Sequence, residues 1–217
     1  MLTRKVLQAT LASLLVSAGA QAATTSFSSA AAFSTASGSG LAFESFETAT
    51  LSTSTSVAFS GGTFSCSGSS YCPDFFGISS LGADAGTKSV YFASPDIATI
   101  TFDAPVNAFG IHIGGAGDVA PITLTAYLGN GDSAVALDDY TGSDKVFGTN
   151  NQFFGVISDT AFSSIIFKAS NFGDGIFFDS LSYGTVAAVP EPETYAMMMA
   201  GLSLLGLAGR RKSRQSA

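Results

Sequence analysis

Few side chains in this 217-residue chain have the types and spacing needed for catalysis. The chain contains one histidine, His112, in an alternating run with Ile111 and Ile113. Because successive side chains of a strand point to opposite faces, we expect His112 on a solvated or edge face. A His-rich zinc site is excluded, and a Ser-His-Asp triad would depend on His112 alone.

Paired carboxylates are the other source of catalytic groups, and Asp138 and Asp139 are adjacent. In a strand these two side chains would point to opposite faces, whereas in a turn they could share an ion. Two carboxylates at a suitable separation hydrolyse glycosides, but turns account for most Asp residues. The sequence has no Walker loop, nucleophile elbow or His-Glu-x-x-His motif. We therefore predict no catalytic residues and no enzyme; a secreted hydrolase is the enzyme alternative.

The first 22 residues have the layout of a secretory signal peptide. Arg4 and Lys5 form a positive region, and residues 6–16 form an apolar region. Ala20 and Ala22 then supply a small-x-small cleavage site. We predict export through the Sec translocon and cleavage by signal peptidase after Ala22.

The carboxyl end combines three features in order. A short acidic turn contains Val189, Pro190, Glu191 and Pro192. The uncharged stretch 194–209 follows, and its apolar part would form a helix of roughly 22 Å, short of a hydrocarbon core of about 30 Å. The basic tail, residues 210–217, contains Arg210, Arg211, Lys212 and Arg214. Cations directly after an apolar run favour a transmembrane helix with a cytoplasmic tail over a buried core helix.

These features resemble the PEP-CTERM sorting signal, which we assign to residues 188–217 with its motif at 189–193. The resemblance implies export in a Gram-negative bacterium that makes extracellular polysaccharide. It also implies recognition by an exosortase, a membrane-embedded cysteine protease that cuts near Pro-Glu-Pro. We therefore expect a precursor anchored transiently in the inner membrane, which is later displayed on the cell surface or released.

The body between the two signals is strongly acidic. Residues 23–189 contain three Lys, no Arg and 14 acidic residues, a net charge of −11. This charge argues against nucleic acid and anionic membranes as partners, and leaves cations, neutral sugars and basic proteins. Residues 23–40 are rich in Ala, Ser, Thr and Gly, so they would fold only by docking, for example as an edge strand through Phe27 and Phe33. Residues 41–187 form the expected domain.

This domain is predicted to be an antiparallel β-sandwich of jelly-roll type. Its short apolar runs alternate with Gly, Asn and Asp, and no helical period is sustained. Residues 129–132, Gly-Asn-Gly-Asp, predict a hairpin, and Asp159 predicts an Asx turn. The predicted strands are 41–47, 57–59, 62–65, 89–93, 97–102, 108–113, 122–128, 133–137, 153–157, 164–169 and 176–183.

Two cysteines, Cys66 and Cys72, are separated by a short run of Ser, Gly and Tyr. In an oxidising periplasm cysteines this close are expected to pair. Loop entropy gives such a small ring about 2–2.5 kcal/mol of stabilisation. Redox catalysis would favour Cys-x-x-Cys at the start of a helix, so we predict a structural disulfide.

Three motifs are similar to ectodomains found upstream of PEP-CTERM signals and to jelly-roll carbohydrate-binding modules. They are residues 103–110, 153–159 and 178–184, which read DAPVNAFG, FFGVISD and FDSLSYG. The likeness to jelly-roll modules implies a structural Ca²⁺ that joins the two ends of the domain, with Glu44 and Asp179 as ligands. The alternative for Glu44 is a solvated side chain, and no other cofactor is predicted.

From the sequence we predict an exported binding or structural component of an extracellular polysaccharide matrix. The competing hypothesis is a Ca²⁺-dependent carbohydrate-binding module, for which the polysaccharide would be the direct ligand. In both cases the prediction of a polysaccharide partner rests on the sorting signal and on the likeness to binding modules. No binding motif of the domain specifies a glycan.

Overall fold

A computed structural model describes residues 24–68, 71–81, 83–115, 122–129, 135–140, 152–169 and 173–187, together with 199 and 201–203. The chain divides into two units, Met1–Val186 and Ala187–Ala217. The signal peptide, the motif at 189–193 and the basic tail lie outside the described residues. Of the expected apolar helix at 194–209, residues 199 and 201–203 are described, and they are helical. None of the helices in the described ranges combines the length and apolar character that a membrane crossing requires.

Strands dominate the first unit. The described elements are β1 Thr24–Phe27, α1 Ala30–Ser37, β2 Ala42–Glu44, β3 Ser52–Thr53, β4 Ser56–Phe59, β5 Gly62–Ser67, β6 Gly77–Ser79, β7 Ser89–Ala93, β8 Ile97–Gly114, β9 Ile122–Leu128, β10 Val135–Tyr140, β11 Gln152–Ala169 and β12 Gly175–Gly184. All strand pairings among them are antiparallel. The predicted all-β antiparallel class is therefore confirmed.

Two strands of 18 residues each, β8 and β11, organise the sheet. The first half of β8 pairs on one side with β5 and on the other with the second half of β11. The second half of β8 pairs on one side with β12 and on the other with the first half of β11. Between the halves, residues 103–105 and 159–161 are exposed and the register shifts. These irregularities act as bulges, which bend a strand without ending it.

The prediction of separate strands at 97–102 and 108–113, and at 153–157 and 164–169, was therefore wrong. The predicted turn near Asp159 is instead a bulge within β11, where the Thr160 amide donates to Ser158 Oγ at 3.2 Å. The local hydrogen bond has the form expected of a turn, but a hydroxyl accepts it rather than the Asp159 carboxylate. Because both halves of β11 keep the same partner, β8, the chain direction does not reverse.

Buried Phe rings, together with Ile, Val and Leu side chains, form the core of the first unit. Phe64 on β5 lies 5.1 Å from Phe178 on β12, and Phe167 on the second half of β11 lies 4.8 Å from the same ring. These strands are not hydrogen-bonded neighbours, so the rings meet across two facing layers. Burial of one such ring stabilises the fold by roughly 1.5–3 kcal/mol. The jelly-roll order stays a prediction, because hydrogen bonds join the strands into one continuous sheet.

β9 and β10 are paired as the predicted hairpin requires, and residues 130–132 of the predicted turn lie outside the described residues. β9 pairs with β10 in a register that places Ala126 opposite Val135 and Leu124 opposite Leu137. The second strand runs over Val135–Tyr140 rather than the predicted 133–137. Asp138 and Asp139 lie in β10, and their side chains lie outside the described residues.

The small-residue segment 23–40 contributes both an edge strand and a helix. β1 pairs with the first half of β11, as expected for a docked edge. The helix α1 was not predicted. Ser29 caps it by accepting from the Ala32 amide at 3.4 Å, and Phe33 is buried. A Ser cap before three Ala residues was the available signal, since Ala has the highest helix propensity.

The disulfide between Cys66 and Cys72 is present, with the two Cα atoms 6.0 Å apart, so the predicted pairing is confirmed. The buried carboxylate of Asp96 supports the closing turn, because its Oδ2 accepts from the amides of Tyr71 at 2.7 Å and Cys72 at 2.6 Å. The covalent ring and this carboxylate therefore hold the same loop.

The side chain of Asn107 on β8 forms two hydrogen bonds with the backbone just beyond the end of β12. Its Nδ2 donates to the Val186 carbonyl at 2.9 Å, and its Oδ1 accepts from the Val186 amide at 2.7 Å. The side-chain amide therefore imitates a strand residue just beyond the last paired position, Gly184 opposite Ala108. This contact attaches the chain to the domain only a few residues before the predicted sorting motif.

We predict that Asn107→Ala frees Val186 without loosening the core. Loss of two hydrogen bonds should lower the opening free energy at Val186 by about 1–3 kcal/mol, and hydrogen exchange of its amide measures this change. Asn107→Asp, which keeps the acceptor and loses the donor, should give an intermediate effect. Unchanged protection of Val186 in Asn107→Ala would contradict the role assigned to the side chain, and Phe178 on β12 serves as the internal reference.

Candidate functional site

A pair of glycines on neighbouring strands leaves space for two aromatic rings to pack on the backbone of the sheet. Gly110 on β8 lies directly opposite Gly155 on β11. A Cβ at Gly110 would approach the Phe153 ring to 2.7 Å and the Phe33 ring to 2.9 Å, and at Gly155 the two approaches would be 2.7 and 2.8 Å. Both rings therefore lie on backbone that carries no side chain. We call Gly110 and Gly155 the glycine bed, because the Phe33 ring packs on their backbone and so attaches α1 to the sheet.

Beside this bed lies an open groove of about 340 Å³. Residues of helix α1 line the groove, and so does Phe43 on β2, which has 60% of its surface exposed. Phe153, His112, Ser180 and Ser182 also line the groove. The groove thus joins aromatic surface with hydroxyl and imidazole groups.

His112 is the polar centre of the groove. Its Nδ1 lies 2.6 Å from Asp84 Oδ2, and its ring lies 5.2 Å from that of Phe153. Its side chain is 23% exposed, whereas Ile111 and Ile113 are fully buried, so the prediction of opposite faces is confirmed. The Ser180 hydroxyl donates to the same Asp84 oxygen at 3.2 Å.

Ser, His and Asp side chains therefore meet here, but not in the order that nucleophilic catalysis needs. In a triad the base contacts the nucleophile and the carboxylate contacts only the base. Here the Ser180 hydroxyl contacts the carboxylate of Asp84 instead. The geometry supports hydrogen bonding to a ligand better than activation of Ser180, and the absence of enzyme activity stays a prediction.

Asp179 holds the loop that carries Asp84. Its Oδ2 accepts from the amides of Asp84 at 2.8 Å and Ala85 at 3.0 Å, and its Oδ1 accepts from the Ser180 amide at 2.6 Å. The side chain is 1% exposed. Burial raises the pKa of Asp179, although the three amide donors act in the opposite direction. Ser180 has a φ of 53°, a left-handed conformation that follows directly after this anchor.

The predicted calcium ligands lie on neighbouring strands, with Glu44 opposite Leu181 and Asp179 two residues before it. However, Glu44 Oε1 accepts from the Phe46 amide at 2.8 Å, and both oxygens of Asp179 accept from amides. Among the described residues no group of three or more His, Cys, Asp or Glu is placed to hold a metal. Since Ca²⁺ takes about six to eight oxygen ligands, Glu44 and Asp179 would need further oxygen ligands to hold the ion. Calcium binding stays a prediction, to be tested by thermal unfolding with calcium and with a chelator.

Sequence reasoning did not select Phe43, Asp84, Ser180 or Ser182. The three motifs at 103–110, 153–159 and 178–184 did contain part of the signal. They lie on the neighbouring strands β8, β11 and β12, and they supply the two bed glycines, Phe153 and both serines. Asp84 is in a loop distant in sequence, and nothing in its local sequence marks it.

The raised pKa of Asp179 leads to a pH prediction. The folded protein holds this proton more tightly than the unfolded chain, whose carboxyl has the ordinary value of 3.8. Protonation of Asp179 therefore contributes its full stabilisation of the folded state below pH 3.8. This contribution is lost as the pH rises through the raised pKa of Asp179. On acidification from about pH 7 to about pH 3.5, wild type should gain stability relative to Asp179→Asn in urea unfolding. The exposed Asp103→Asn is the matched control, and a parallel pH profile of Asp179→Asn and wild type would contradict the assignment.

Comparisons with known proteins give one match at the carboxyl end and weak structural likenesses for the body. A search of curated proteins finds none that matches. A cleaved adhesin domain of Lys-gingipain from Porphyromonas gingivalis is similar over 67% of this chain and 97% of its own, with 12% identity and a TM-score of 0.40. A variant of the family 29 carbohydrate-binding module CBM29-2 is similar over 60% and 98%, with 13% identity and a TM-score of 0.33.

The catalytic domain of a GH87 α-1,3-glucanase, solved with nigerose, is similar over 50% of this chain and 24% of its own, with 19% identity and a TM-score of 0.32. TM-scores this low carry no conclusion about the body of the chain. The family described as the PEP-CTERM protein-sorting motif matches residues 188–212. The chain therefore carries a PEP-CTERM protein-sorting motif at its carboxyl end, as the sequence resemblance predicted.

Proposed function

We propose that this protein is exported, anchored briefly in the inner membrane of a Gram-negative bacterium, and processed by an exosortase for surface display or release. The observation that carries the proposal is the PEP-CTERM motif at residues 188–212. The uncharged stretch 194–209 and the basic residues after it supply the anchor and its orientation. The signal peptide at residues 1–22 supplies entry to the Sec translocon.

After processing, the domain acts as a binding or structural component of the extracellular polysaccharide matrix. Its net charge of −11 over residues 23–189 favours neutral or cationic partners. The groove with Phe43, His112 and two serines supports binding as the activity of the domain, because ligand sites combine apolar surface with a few oriented polar groups. Calcium assistance of that binding stays the competing hypothesis, with Glu44 and Asp179 as its proposed ligands.

We predict that Glu191→Ala, with Pro190 and Pro192 intact, blocks processing. The precursor should accumulate several-fold in the inner membrane fraction, because the residue lies at the centre of the motif that the exosortase recognises. Immunoblots of membrane and extracellular fractions measure the distribution. Asp103→Asn, which removes an equal charge at an exposed position outside the sorting signal, is the control. Normal release of the Glu191 variant would refute sorting by this motif.

Neutralising the basic tail should weaken membrane retention of the precursor. Replacement of four cations by Gln removes the positive charges that hold the cytoplasmic end in place; these are Arg210, Arg211, Lys212 and Arg214. We expect unprocessed protein to appear in the periplasm. Retention equal to wild type after carbonate washing would show that something other than charge topology holds the tail.

A further inference from the structure

We propose that the groove between α1 and β2 binds a neutral sugar ring of an extracellular polysaccharide. The identity of the ligand rests on the proposed function, which places the domain in a polysaccharide matrix. The existence and chemistry of the site rest on the groove itself. Three features of the groove support this assignment: an exposed ring, a fixed set of polar groups, and the sign of the local charge.

The exposed ring is Phe43. It lies on the three-residue strand β2, and 60% of its surface is exposed. Within the described residues of the domain it is the most exposed Phe, whereas most others are buried in the core. A sugar presents a flat face of C–H groups, and covering an aromatic ring with such a face removes apolar area from water. Phe43 is therefore positioned to stack against a sugar ring that enters the groove.

The polar groups lie on the neighbouring strands. Ser182 on β12 is directly opposite Phe43 on β2, so its hydroxyl lies beside the stacking ring. His112 and Ser180 line the same groove, and both contact Asp84 Oδ2. Hydroxyl and imidazole groups donate and accept hydrogen bonds, which matches the mixed character of sugar hydroxyls.

These groups are held in place before any ligand arrives. Asp179 fixes the backbone of Asp84, Ala85 and Ser180 through three hydrogen bonds. On the other side, Phe33 docks α1 onto the glycine bed, with its ring 5.4 Å from Phe153. A site whose walls are already ordered loses less conformational entropy when it binds.

Charge selects a neutral sugar over an acidic one. The carboxylate of Asp84 contacts two of the lining residues, His112 and Ser180, and none of the described residues that line the groove is Lys or Arg. A uronic acid in this position would bring a second carboxylate near Asp84 with no Lys or Arg in the lining to compensate. The net charge of −11 over residues 23–189 also disfavours an acidic sugar.

Affinity electrophoresis of the full-length protein, purified in a detergent without sugar, tests the proposal. The probes in the gel are four neutral polysaccharides (dextran, laminarin, galactomannan and xyloglucan) and the acidic polysaccharide alginate. We expect at least one neutral polysaccharide to retard wild type and alginate to have no effect. Phe43→Ala should weaken the retarding affinity on the order of tenfold, which corresponds to about 1.4 kcal/mol. Ser182→Ala should also weaken it.

One control variant and one further test variant distinguish the groove from other surfaces. Phe75→Ala removes another exposed ring, which is 47% exposed and is not among the residues that line the groove, and this variant should bind like wild type. Gly155→Ala adds the Cβ that meets Phe33 and Phe153, so it should displace the α1 wall and weaken binding while Phe43 is retained.

The proposal is overturned if no neutral polysaccharide retards wild type, if alginate retards it more strongly, or if Phe43→Ala binds as wild type does. Precursor processing, assayed separately, should be normal in Phe43→Ala and blocked in Glu191→Ala. Loss of sugar binding with normal processing therefore identifies the groove alone, and failure of the Glu191 prediction would leave the binding result unaffected.

Discussion

Burial of Phe rings between the two halves of a bent sheet is the constraint on which the rest of the domain depends. β8 and β11 run for 18 residues each and are longer than one layer of a small domain needs. Their exposed bulges at 103–105 and 159–161 allow each strand to serve both layers. Phe64, Phe167 and Phe178 can then meet in the interior. Without the bends, the same strands would expose their Phe faces to water.

The groove is a consequence of this arrangement at one end of the sheet. The second half of β8 and the first half of β11 bring Gly110 opposite Gly155, and the missing side chains leave room for Phe33 and Phe153. β12 places Asp179 opposite His112, and the buried carboxylate fixes the loop that carries Asp84. Core packing and the orientation of the polar groups are thus coupled, because the strands that form the core also position the groove.

The two ends of the chain follow different rules from the domain. Sorting information is linear, since a translocon or a protease reads an extended segment, and it needs no tertiary structure to be recognisable. The motif at residues 188–212 could therefore be identified from residue order alone. Asn107 fixes Val186, the last residue of the first unit, to the folded domain.

Five features could be predicted from local sequence pattern: the sorting motif, the all-β class, the pairing of β9 with β10, the Cys66–Cys72 disulfide, and the placement of His112 on the face opposite Ile111 and Ile113. Each depends on neighbours in sequence, on strand period or on a short loop, so local physical chemistry was sufficient. Tertiary structure alone decided that residues 103–105 and 159–161 are bulges within long strands and not breaks between separate strands. Local sequence does not show which partner strand the following residues keep. Tertiary structure also decided that Asp179 anchors Asp84, and that Phe43, His112 and Ser182 share a groove. These residues come from separate strands, and only long-range pairing brings them together.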